Sequence, residues 1–92
     1  RKTMLTRARH PVAWAMLMYE LTDAHEHLAE LIRQMESEGE IDDPDFAVRL
    51  GHAFAHLNRA WHGRDDAGLG EEITADDWAE RSRFPDDLTP VG

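Results

Sequence analysis

An all-α fold built on a long antiparallel helical hairpin is what this 92-residue sequence predicts. Three observations lead there. Apolar residues recur at steps of four and three through residues 11–38. A second run of the same period spans 44–62. Only the polar link EGEIDD separates them, and helices joined so briefly lie antiparallel. A short helix over 75–83 and an extended acidic tail over 84–92 complete a single small domain, residues 1–92.

Each element carries its own signals. Pro11 suits a first helical turn, where its missing N–H costs nothing. From there Trp14, Met18, Leu21, His25, Leu28, Ile32 and Met35 form a stripe, widened on one flank by Leu17, Ala24 and Leu31. Gly39 is a natural stop. Asp43 followed by Pro44 reads as an N-cap and a first-turn proline, with Asp45 complementing the helix dipole. Ala47, Leu50, Phe54, Leu57 and Trp61 form the second stripe, with Phe46, Ala53 and Ala60 on its flank, and Gly63 ends it. Further on, Thr74 caps the short helix with Asp77 as capping-box partner, and Pro85 closes it. The tail reads as a strap laid on the hairpin by Trp78, Phe84 and Leu88.

Composition removes several function classes. There is no cysteine, hence no disulfide and no thiolate metal site. Net charge is −9, which argues against generic nucleic-acid binding despite the basic RKTMLTRARH segment. No apolar run approaches the roughly 20 residues that span a bilayer, and the sequence holds no signal-type core. No membrane partner is expected, and a cytoplasmic location is the default expectation. The chain opens at Arg1, as a trimmed N-terminus would. Charge is segregated: residues 46–64 carry Arg49, Arg59 and Arg64 with no acid, while ESEGEIDDPD carries six acids and no base.

Six histidines in so short a chain need individual reading. His25 lies within the stripe and reads as a buried polar residue that fixes register. A helix turns about 100° per residue, so His27 and His56 each lie about 110° from the direction of the partner helix, with the same sense. In an antiparallel pair that places both on one lateral side, level with each other. Glu20 and Arg49 project to the same side, and His52 points further outward. His62 has an ordinary place near a helix C-terminus, and His10 is uninformative.

Leu17, Ala24, Leu31, Phe46, Ala53 and Ala60 also fall on that side. An apolar band wider than one partner helix requires implies a second layer. The leading expectation is therefore a non-enzymatic interaction module that self-associates through this Ala-rich lateral face, as a homodimer forming a four-helix bundle. The alternative is a helical bundle that binds a small ligand or a divalent metal such as zinc through His27, His56, His52 and Glu20. His-x-x-x-His spacing suits two ligands on one helix, but on a lone hairpin the lateral His27 and His56 are expected to diverge beyond the reach of one ion. A third reading takes the acids of 65–77 and 86–87 as a mimic that inhibits a basic partner. No nucleophile, phosphate loop or H-E-x-x-H pattern is present, so no catalytic site and no cofactor are expected.

Overall fold

The computed structural model of the protein describes residues 5–64 and 74–92. Three helices follow in order: α1 (Pro11–Glu38), α2 (Asp43–His62) and α3 (Ala75–Ser82). Among the described residues there is no strand, and no helix is long and apolar enough to cross a membrane. The architecture is the predicted helical hairpin with a short third helix.

Local chemistry accounts for the ends. Pro11 begins α1, and Gly39 ends it in the left-handed region at φ 71°, its N–H donating to the Met35 carbonyl. Only glycine takes that conformation without a Cβ penalty. The cap of α2 is Asp42 rather than Asp43; its carboxylate accepts from the Asp45 N–H at 2.8 Å. Asp43 thereby becomes the first helical residue, and Asp43 and Asp45 both complement the dipole. At α3, Thr74 and Asp77 exchange hydrogen bonds as a full capping box.

The facing of the two long helices differs from the expectation. Ala24, Leu31, Ala53 and Ala60 are the buried apolar residues at the centre of the hairpin, with Ala24 only 2% and Ala53 3% exposed. Leu17 and Phe46 continue this row and are half-buried. The supposed lateral interface, Leu17, Ala24, Leu31, Phe46, Ala53 and Ala60, is therefore the seam between α1 and α2 and is not open to a partner. Each helix is turned by roughly 90° from the orientation the largest apolar residues imply. His25 is accordingly exposed, not buried. The physical reason is that alanines let the backbones approach closely, while Glu20, His56 and Arg59 enter the seam as a mutually paired set.

The C-terminal segment does lie on the hairpin as a strap. α3 packs on α2, where the Trp78 ring sits under the Arg59 guanidinium at 4.1 Å. Asn58 Nδ2 donates to the Ser82 carbonyl at 2.8 Å, and His62 Nε2 donates to the Arg83 carbonyl at 3.0 Å. Phe84 then meets Phe54 edge-on at 5.1 Å, and Trp61 Nε1 donates to Asp87 at 2.8 Å. Asp87 is thus engaged within the chain. Of the acids assigned to the mimic, those in 65–73 lie outside the described residues.

Candidate metal centre

Rotating both helices in the same sense carries His27 and His56, expected on one lateral side, inward toward one groove. His27, His52 and His56 converge there, with one ligand nitrogen from each lying within 4.8 Å of the others. The expected divergence of His27 and His56 does not occur within the single chain: their rings stack at 5.3 Å. His52 points outward only in part. It is exposed, but its ring lies 4.0 Å from that of His27 and 5.0 Å from that of His56. The i, i+4 spacing on α2 supplies two imidazoles on one helical face, and α1 supplies the third.

The three positions differ in environment. His56 is buried, His27 half-buried and His52 exposed, so the cluster runs from the hairpin interior to solvent. His56 is also the one held from behind. Its Nδ1 lies 2.6 Å from Glu20 Oε1, and Glu20 Oε2 accepts from Arg59 Nε at 2.9 Å. Arg59 Nη2 comes within 3.1 Å of the same imidazole nitrogen. A guanidinium carries no acceptor, and a carboxylate facing an unprotonated nitrogen at 2.6 Å would repel it. The proton therefore sits on Nδ1 and is donated to Glu20, which leaves Nε2 as the ring nitrogen directed away from Glu20 and available to a metal. A carboxylate bonded to the rear nitrogen of a histidine fixes its tautomer and raises its basicity as a ligand.

Glu20 and Arg59 are themselves buried, at 8% and 9% exposure. Arg59 Nη1 continues to Ser82 Oγ at 2.9 Å, and Ser82 Oγ donates to the Trp78 carbonyl at 2.8 Å. The rear support of His56 thus extends through Arg59 to α3. A buried pair is stable only when its hydrogen-bonding groups find partners, and Arg59 bonds both Glu20 and Ser82.

Electrostatics favour a cation. Asp23 Oδ2 stands 3.9 Å from His56 Nε2, on the open side of the ring. The Asp23 charge, followed by its hydrogen bond, raises the pKa of the exposed Tyr19 phenol. His52 is pushed below the ordinary histidine value, first by loss of water and then by repulsion from His27 and His56. Its lone pair is consequently free at neutral pH. The charged side chains around the cluster, Glu20, Asp23 and Asp45 against Arg49 and Arg59, leave one net negative charge.

Of the residues expected to form a site, His27, His52 and His56 meet, while Glu20 stands behind His56 and does not face the groove. Arg49 borders the same groove as His27 and His52 but is paired there, its Nε donating to Asp45 at 3.3 Å. Sequence reasoning gave neither Arg59 nor Asp23 a place in the site. The available signal was the strict seven-residue spacing of Leu17, Ala24 and Leu31, and of Phe46, Ala53 and Ala60. Filling the intervening seam positions gives Glu20 and His27 on α1 and Arg49 and His56 on α2. The class defined by fold and site is an all-α hairpin, braced by a C-terminal strap, with a three-histidine cluster on one face. No family model, no curated protein and no solved structure matches the chain.

Proposed function

We propose that the protein binds a divalent transition metal ion, with His27, His52 and His56 as ligands. The observation that carries this reading is the convergence of the three ligand nitrogens within 4.8 Å. Three nitrogens at the corners of such a triangle lie at most about 2.8 Å from its centre, against about 2.0–2.1 Å in a zinc–imidazole bond. Less than an ångström of inward movement completes the site, and the exposed His52 and half-buried His27 have room to supply it. Ring spacing agrees. Three imidazoles placed tetrahedrally on one ion have centres about 5 Å apart, and two of the three observed separations are 5.0 and 5.3 Å.

Imidazole ligands suit zinc, copper, nickel and iron, and an acidic outer position suits the harder of these. Asp23 stands where it can take the fourth position directly or hold a bound water. Glu20 is a positioning residue acting through His56. The proposed role is metal binding.

Titration of the chelator-treated chain with zinc tests this reading. One ion per chain is expected, with a rise in melting temperature that follows mass action, about 2.7 kcal/mol at a hundredfold excess over Kd. His52→Ala removes an exposed ligand without disturbing the seam and abolishes the rise. Glu20→Gln weakens binding about 10–100-fold by loosening His56. A melting temperature that zinc does not move, or a rise that survives His52→Ala, overturns the proposal.

A further inference from the structure

The two faces of the hairpin are chemically opposite. The face turned away from the histidine cluster carries the large apolar residues that the seam left out. Met18, Leu21 and Ile32 of α1 and Phe54 and Leu57 of α2 are each 39–56% exposed, and Leu28 is half-buried among them. Both helices place them on the same side, because the two stripes are displaced from the seam by similar angles of the same sense. No carboxylate, lysine or arginine interrupts either stripe; His25 is the one polar residue within it. Among the described residues, the strap meets the margin of this face through the edge contact of Phe84 with Phe54 and the bond from Trp61 to Asp87.

We infer that this face docks a second copy of the chain, giving a four-helix bundle with the two histidine clusters on its outer sides. Three observations select that occupant. First, no large side chain is fully buried anywhere among the described residues, so the single hairpin lacks the core that a domain requires. Second, the face measures about 25 Å along the helices by about 20 Å across both, so two mated copies cover roughly the 1,000 Å² that a specific interface needs. Both helices contribute matching antiparallel rows, and a two-fold axis lying in the face, perpendicular to the helices, sets each row against its like. Third, charge disfavours a lipid surface: a chain of net charge −9 is repelled by anionic headgroups, and interfacial helices depend on basic residues beside the apolar face.

Association through this face does not depend on a bound metal, so it is tested with a chelator present. Sedimentation equilibrium of the full chain from micromolar to millimolar concentration should move from the 10.5 kDa chain mass toward twice that value. Ile32→Gln alters a side chain that is 56% exposed, so the fold tolerates it. Both copies lose the contact, which should weaken association about 100-fold. Combining it with Phe54→Gln should hold the chain monomeric, and circular dichroism should report unchanged helix content. A wild-type chain that stays monomeric throughout, or a double variant that associates as tightly as wild type, overturns the inference. Co-sedimentation of the wild-type monomer with anionic phosphatidylserine vesicles would do the same and assign the face to lipid.

Discussion

The seam of the hairpin and its outer apolar face use the same helices in opposite ways. The seam takes alanines at its centre, Leu17, Leu31 and Phe46 further along, and a paired acid, base and imidazole; the outer face carries large apolar residues throughout. A seam of alanines lets α1 and α2 come close, and closeness allows His27 to reach the imidazoles of α2. Large side chains there would hold the helices apart and open the cluster. The difference shows that hydrophobicity alone does not decide which face of a helix meets its nearest neighbour; close packing at a few small residues and pairing of polar ones also count.

Breaking the seam at its charges should have the largest effect. Glu20→Ala leaves Arg59 buried without its partner and removes the acceptor of His56. Loss of one member of a buried pair costs about 3–5 kcal/mol, which urea unfolding should report as a large drop in midpoint. Overpacking comes next. Ala53→Leu inserts three carbons where the side chain is 3% exposed, at a cost of about 1–3 kcal/mol. Zinc titration of the same variant should show weaker affinity as well, because the larger side chain separates the helices beside the cluster. Ala53 lies inside the fold, so its substitution acts on the hairpin itself and not on a partner.

Backbone positions give smaller and opposite effects. Gly39→Ala forces a Cβ into the left-handed conformation at φ 71° and should cost about 1 kcal/mol. Gly51 lies inside α2, with open space where a methyl group would stand, so Gly51→Ala should raise stability by about 0.5–1 kcal/mol. Thermal melts of the two variants should move in opposite directions.

The smallest effect concerns the strap. The Trp61 indole N–H is the main cause that holds the Asp87 carboxyl below its ordinary pKa. A group depressed on folding contributes stability that is present above its unfolded value and lost as pH falls through the folded one. Acidification below the ordinary carboxylate range should therefore release the strap from Trp61, with a shift in tryptophan fluorescence. Asp87→Asn should remove that acid-dependent component.

The elements were legible in the sequence because their signals are local. Pro11, Gly39, Thr74 and Asp77 act within a turn of where they stand, and the structure uses each as its chemistry suggests. Asp42 displaced Asp43 as the cap of α2 because two adjacent aspartates offer the same side chain one residue apart. The facing of the helices was not legible from the apolar stripes, because it depends on what α1 and α2 offer each other. Several seam positions are polar, and Glu20, His56 and Arg59 are tolerated there only as a set. Read singly, each of them signals a solvated surface. The cluster was hidden for the same reason: its three histidines converge only after both helices turn.

The most direct test of the metal centre is to watch the imidazole nitrogens themselves. Long-range proton–nitrogen NMR correlation of the six histidines resolves each ring while zinc is added. His27, His52 and His56 should shift together and saturate at one ion per chain, with His56 keeping its proton on Nδ1 and losing its free Nε2 lone pair. His10, His25 and His62 should not move. Zinc-dependent shifts confined to those last three, or no saturable shift in any ring, would contradict a metal centre built on His27, His52 and His56.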